Sequence, residues 1–216
     1  VKDKVAYSAI SYIQNSMVKG DSSWVESNNI NFAQKITSGG VAAHDMKGGL
    51  SDSKGQAIKS DWAPYQTHML LLGEDILPAN DPLAIGNTSH PEKISNPDNL
   101  KYSEALRTLF IGEDSGGHVN NYLWAYNVDD KKLDRILSCP AGAESTGLHA
   151  VDSINGWTYI MSNFQHAGDW TKLHGLVEAK LDPIIRSKYN DRFAAEVGYL
   201  TADPIAPSVD NKPSKA

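Results

Sequence analysis

The chain has 216 residues, 40% of them hydrophobic, and carries 20 basic against 26 acidic side chains, a net charge of −6. This length and composition allow a hydrophobic core, which excludes a wholly disordered protein. No run of lysines or arginines forms the basic surface that nucleic-acid binding needs, and no stretch reaches the roughly 20 apolar residues of a membrane helix. We therefore expect neither a nucleic-acid partner nor a membrane span.

The first part of the chain predicts two strands separated by loops. Residues 5–13 are rich in β-branched and aromatic side chains, which favours a strand, although the run of small residues also suits a buried helix. Residues 41–46 form a second short apolar run after a glycine pair. Residues 47–61 and 78–99 are polar or rich in proline and asparagine, and predict loops.

From residue 100 the sequence predicts a β-meander. Short β-prone runs alternate with turn signals at residues 107–111, 122–128, 133–137 and 158–162. The pair Asn155–Gly156 is a strong two-residue hairpin signal. Four short antiparallel strands in about forty residues are typical of one propeller blade, but a β-sandwich gives similar spacing, so spacing alone leaves both architectures open.

The character of the sequence changes near residue 171. Apolar residues at helical intervals predict one short helix over 171–181, which we expect Asp182–Pro183 to interrupt. Residues from 201 onward are polar and proline-rich, and are expected to run over the surface or stay loose. We accordingly divide the chain into a β-region, 1–170, and a C-terminal closing segment with a loose tail, 171–216.

Three segments concentrate side chains that suit hard cations: residues 96–99, 112–121 and 142–147. Calcium takes roughly six to eight oxygen ligands, so glycine-rich loops bearing Asp, Glu and Asn fit calcium better than zinc. Glu113 and Asp114 directly follow an apolar run, which predicts carboxylates at the end of a strand. The alternative is that these residue types simply form a turn.

Glu144 lies among small, uncharged residues, which indicates a carboxylate in a confined place; the alternative is an ordinary surface glutamate. His118 and His166 each lack a second histidine three or four residues away, so the helical zinc pattern is absent, and a lone histidine is usually structural or exposed. Ser145 does not lie in a G-x-S-x-G elbow, and no glycine-rich phosphate loop occurs. A nucleophilic triad or a nucleotide-binding loop is therefore not indicated.

Four segments resemble, in order and spacing, those of the PhoX-like alkaline phosphatases. They read NPDNL at 96–100, LFIGEDSGGHVNNYLWAYN at 109–127, LDRILSCPAGAESTG at 133–147 and WTYIMSNFQHAGD at 157–169. GGVAAHDM at 39–46 looks like a weaker upstream member of the series, and AEVGYL at 195–200 looks like its C-terminal end.

The resemblance implies an all-β, six-bladed propeller, periplasmic or secreted, whose central channel holds calcium and ferric ions that hydrolyse phosphomonoesters. Carried over to this chain, it implies Glu144 as a metal ligand, with Asp114 and Glu113 beside it. It also implies Asn99 as a metal ligand and His166 as a catalytic residue with Glu144, at the same end of the channel. The first four residues have no signal-peptide pattern, so the expected export rests on the resemblance.

The chain departs from the family in two places. A tryptophan-rich segment that ends in a cysteine and paired glutamates, and supplies further ligands, has no counterpart. The residues before Glu144 include no arginine, which removes a phosphate clamp. Because six blades of about 40–50 residues exceed this length, we expect residues 1–170 to be part of a propeller that works with N-terminal blades of the same protein.

Two functions are therefore expected. The first is a metal-dependent phosphomonoester hydrolase, using calcium and iron on a phosphate ester substrate and active when the remaining blades are present. The alternative is a non-catalytic, calcium-stabilised propeller that acts as a binding or structural module. The missing arginine favours the alternative.

Overall fold

The computed structural model describes residues 3–27, 29–77, 85–191 and 193–202. These residues form three antiparallel β-sheets with one α-helix, and none of the three sheets closes on itself. The all-β class is confirmed. None of the described helices is long and apolar enough to cross a membrane.

The first sheet contains the two strands predicted from the N-terminal part and one that was not predicted. Its strands run in the order β1 (Val5–Ile10), β2 (Gly40–Lys47) and β3 (Ala63–Leu72). The helical alternative for the first segment is wrong. Strand β3 was not predicted because Pro64 lies at its start and its apolar residues do not alternate with polar ones.

The second sheet is the meander that the sequence predicts, with a different first strand. It runs in chain order through β4 (Pro97–Ser103), β5 (Thr108–Glu113), β6 (Tyr122–Asn127) and β7 (Lys132–Ser138). Strand β4 begins inside the segment 78–99, for which a loop was expected. That expectation is wrong from Pro97 onward, because a proline is tolerated as the first residue of a strand. Residues 78–84 of the same segment lie outside the described residues.

The third sheet holds the predicted run at 158–162 within a longer strand. It consists of β8 (Glu144–Ile154), β9 (Trp157–Gln165) and β10 (Glu196–Ala202), with β9 in the middle. The hairpin predicted at Asn155–Gly156 is confirmed, and both residues have positive φ, +53° and +87°, as a type I′ turn requires. Strand β8 was not predicted, because its first residues are those of the polar AESTG segment.

The helix α1 spans Gly175–Arg186 and follows a short 3₁₀ turn at Lys172–His174. The expected helix is thus confirmed, but the expected end is wrong, because Pro183 lies inside it. The turn after the proline is held by Ser187 N–H, which donates to Pro183 O at 3.1 Å, and by Ile185, which packs against a buried cluster. The loose tail predicted from residue 201 is wrong for Thr201 and Ala202, which belong to a strand (Glu196–Ala202), and the rest of it, from residue 203 onward, lies outside the described residues.

The second sheet is packed between the other two. One core cluster joins its residues Leu109 and Ile111 to Val41 of the first sheet, and another joins Phe110 to Ile160 of the third sheet. Strand β5 is therefore buried on both faces, which explains its continuous apolar run. Strand β4 contacts β1 on one side and β8 on the other, so the first strands of the three sheets lie next to one another.

Candidate metal centre

Three side chains with metal-binding atoms converge at one end of the second and third sheets. Their carboxylate oxygens and imidazole nitrogen all lie within 4.8 Å of one another: Asp114, Glu144 and His166. Asp114 follows the last residue of β5, Glu144 is the first residue of β8, and His166 follows the last residue of β9. These three side chains, called the acidic cluster below, form a possible metal-binding triad.

The close approach of β5 to β8 brings Asp114 to Glu144. A side chain at Gly112 would collide with the backbone oxygen of Ser145, so only glycine allows the two strands to come this close. The loop after β5 is tied to β8 by Asn121, whose Nδ2 donates to Ala143 O at 2.7 Å. The glycine that looked like a turn signal in the sequence is therefore a packing requirement of the cluster.

Glu144 is the buried member of the acidic cluster, with 6% of its surface exposed. Its partner in the β8–β9 register is Gln165, whose Nε2 donates to Glu144 Oε2. Asn99 Nδ2 reaches the other carboxylate oxygen at 3.5 Å. Two amide groups thus orient a carboxylate that the interior has partly removed from water, an arrangement that suits a preformed ligand.

His166 presents one specific nitrogen to the cluster. Its Nδ1 lies 3.2 Å from Gly142 O, and because a carbonyl only accepts, Nδ1 carries the proton. Its Nε2 faces Glu144 Oε2 at 3.4 Å. His166 also has a φ of +47°, an uncommon conformation for a residue other than glycine. A ring with one nitrogen fixed by a backbone carbonyl and the other directed into the cluster is typical of a metal-ligating histidine.

Asp114 is the solvent-exposed member, and its environment disfavours the charged form. Partial desolvation by the surrounding protein raises the pKa of its carboxyl, the nearby Glu144 carboxylate adds to the rise, and Asp98 and Asp169 contribute further. His166 opposes this shift. The carboxylates of Asp114 and Glu144 therefore repel each other, and a cation bound between them would relieve the repulsion.

Glu113, which the sequence also predicts as a ligand, lies elsewhere. Successive strand residues point to opposite faces, so the Glu113 side chain enters the core and is fully buried. Its carboxylate accepts four hydrogen bonds, from Ser95 N–H, Trp124 Nε1–H, His118 Nδ1 and Tyr122 N–H, at 2.7–3.0 Å. All four donors come from the protein itself, and the acidic cluster does not include Glu113.

Asn99 lies beside the cluster, where its amide group holds Glu144 and also donates to Asp98 Oδ2 at 2.9 Å. The pairing of β4 with β5 has a register shift between Pro97 and Asn99. Sequence reasoning missed Gln165 and Asp169. The only signal for them is that they flank His166 in the segment QHAGD, because charge and amide content alone do not distinguish them from turn residues.

Comparisons with protein-family models, with curated proteins and with solved structures give no match for this chain. The resemblance to the PhoX-like alkaline phosphatases therefore stays a prediction from the motif segments.

Proposed function

We propose that this chain is the C-terminal, metal-binding part of a PhoX-type phosphomonoester hydrolase. The observation that carries the proposal is the convergence of Asp114, Glu144 and His166 within 4.8 Å. These residues come from three separate motif segments of the resemblance, and the fold brings them to one place.

The arrangement of the sheets supports a partial propeller. The second sheet is a four-stranded meander, and β1, β4 and β8 lie side by side. In a propeller, the first strands of successive blades line the central channel. Glu144 begins β8 and Asn99 lies near the start of β4, so both would face the same end of such a channel. The channel itself would be completed by the remaining blades of the proposed six-bladed propeller.

The donor set indicates which cations to seek. A carboxylate accepts calcium or a transition metal, whereas an imidazole nitrogen suits iron, manganese or zinc better than calcium. Iron at the acidic cluster, with calcium at neighbouring oxygen groups such as Asp98 and Asp169, fits both preferences. Metal ions there would neutralise phosphate oxygens and lower the pKa of a bound water.

The protein's own residues divide the remaining tasks. Glu144, buried and held by Gln165 and Asn99, fixes the position of the site. His166 would offer Nε2 as a ligand atom, because its Nδ1 is engaged with Gly142 O. Asp114 is exposed and would be the member of the cluster open to a substrate. A phosphate ester is thus the proposed substrate, and a periplasmic or secreted location follows from the same resemblance.

One observation favours the alternative, a non-catalytic module stabilised by a cation. Among the described residues, no lysine or arginine side chain bonds to a member of the acidic cluster. Arg186 donates to Ala167 O and pairs with Asp182 at 3.3 Å, so it is engaged in holding the adjacent loop. A phosphatase commonly clamps its substrate with a guanidinium group.

The two functions are separated by measuring metal content and turnover of p-nitrophenyl phosphate on one sample. The hydrolase predicts iron together with turnover that is lost after chelation. A bound cation without turnover, also after addition of the N-terminal blades, supports the non-catalytic module. A protein that takes up neither iron, manganese, zinc nor calcium contradicts both.

A further inference from the structure

The outer edge of the third sheet is a long, regular strand. Strand β10 pairs with β9 over seven consecutive residue pairs, from Glu196–Phe164 to Ala202–Thr158, with no register shift. Within the described ranges, no strand pairs with the other side of β10. As far as residues 3–202 are described, its backbone donors and acceptors on that side have no strand partner and can receive another strand.

The other two outer edges carry features that discourage strand addition. Strand β3 contains Pro64, and its pairing with β2 has two register shifts. Strand β7 carries three charged side chains, Lys132, Asp134 and Arg135. Prolines, irregular pairing and edge charges are the usual means by which proteins protect a sheet edge.

Strand β10 has none of these features along most of its length. Its single charged residue, Glu196, is the first one, and the strand contains no proline. Val197 and Tyr199 project from one face and are 75% and 61% exposed. The Tyr199 ring packs edge-to-face on Tyr159, with centroids 5.3 Å apart, so its orientation is already fixed.

We propose that β10 is a dimerisation edge, which pairs antiparallel with β10 of a second copy of this chain across a two-fold axis at Tyr199. The three strands of each copy then form one continuous six-stranded sheet. This inference rests on the strand alone and is independent of the proposed function.

The strand is self-complementary in this arrangement. A two-fold axis at Tyr199 places Glu196 opposite Ala202 and Val197 opposite Thr201, and it brings the two tyrosines together as a cross-strand aromatic pair. The two Glu196 carboxylates then lie about 20 Å apart, at about 3.3 Å per residue, whereas parallel pairing would set them side by side. Repulsion between the two Glu196 carboxylates therefore favours antiparallel over parallel pairing. Strand β10 of a second copy can pair in this antiparallel way.

Sedimentation velocity over a wide concentration range tests the proposal directly. The chain is expected to show a concentration-dependent monomer–dimer equilibrium. Tyr199→Lys and Tyr199→Glu each place like charges opposite one another, and each should weaken the dimer by more than about tenfold. Tyr65→Lys is the matched control on the protected edge β3, where the tyrosine is 50% exposed, and should leave the dimer unchanged.

Mixing the two Tyr199 variants gives the most specific result. Because the residue faces itself, Lys and Glu should attract, and a mixed dimer should form from two monomeric proteins. Circular dichroism of each variant establishes that it is folded. The proposal is overturned if the unmodified chain stays monomeric at all concentrations or if the mixed variants fail to associate. The first result would mean that the free side of β10 pairs with a strand other than β10 of a second copy.

Discussion

Two neighbouring acidic residues have different roles because strand geometry separates them. Glu113 points into the core, where protein groups donate hydrogen bonds to its carboxylate. Asp114 points towards Glu144 and His166, the other members of the acidic cluster. Sequence reasoning placed both in one site. The alternation of side chains along a strand was the physical rule that could have separated them, but it required knowing that β5 extends through Glu113.

Glu113→Gln is expected to destabilise the protein without removing metal from the acidic cluster. The change leaves His118, fully buried and 3.0 Å from the carboxylate, without its charged acceptor, and we expect a loss of about 2–4 kcal/mol in the free energy of unfolding. Urea unfolding measures the loss, and elemental analysis checks the metal. Unchanged stability together with lost metal would show that Glu113 is a ligand after all.

A second prediction at this scale concerns His174, which is buried, with 1% of its surface exposed. Burial lowers the pKa of His174 below its ordinary value of 6.5. The unfolded chain then binds the proton more readily than the folded one, so stability is full above pH 6.5 and falls as the pH drops below it. Unfolding free energies measured at about pH 7.5 and about pH 5.5 should show this loss.

His174→Gln provides the control for that pH dependence. The glutamine cannot take up a proton, so the variant should lose less stability over the same pH range than the unmodified protein. If both proteins lose equal stability, other groups dominate the acid response and the role given to His174 is wrong.

At the scale of elements, helix α1 holds the loop that carries His166. Arg186 donates to Ala167 O, Trp170 Nε1 donates to Asp182 Oδ1 at 2.7 Å, and Ile185 packs against the buried cluster that includes Ala167. The sequence predicted this helix but not its role. Its last turn, which follows Pro183, contributes the contacts of Ile185 and Arg186, and this turn was not predicted because a proline usually ends a helix.

Arg186→Met should therefore weaken metal binding without touching a ligand. The loop 167–170 loses its guanidinium contact, His166 is held less firmly, and we expect about a tenfold loss of manganese affinity in calorimetric titration. Lys188→Met, a change at an exposed residue just after the helix, is the control and should bind manganese normally. Equal manganese affinity of the two variants would show that helix α1 does not help to position His166.

At the scale of the whole molecule, six of the ten described strands were predicted, and β3, β4, β8 and β10 were not. Hairpin signals such as Asn155–Gly156 identified turns correctly. Strands β4 and β8 were missed because each begins with residues of the candidate site, Pro97–Asn99 and Glu144–Thr146, whose types are typical of turns. The convergence of distant segments at one end of two sheets depends on sheet packing, which no local pattern contains.

The acidic cluster depends on the same packing of the sheets. It is built only when the second and third sheets are joined, with Gly112 against Ser145. A cation bound there should also raise the melting temperature, because it binds the folded chain and not the unfolded one.

The most direct test is the metal content of Glu144→Gln compared with the unmodified protein and with Glu26→Gln, an exposed glutamate before β2. All three samples are loaded with the same metals, desalted and analysed for iron, manganese, zinc and calcium. We predict that Glu144→Gln remains folded but loses the cation, because the amide keeps the volume and removes the anionic ligand, while Glu26→Gln retains it. Equal metal content in all three proteins would contradict the assignment of the acidic cluster as a metal centre.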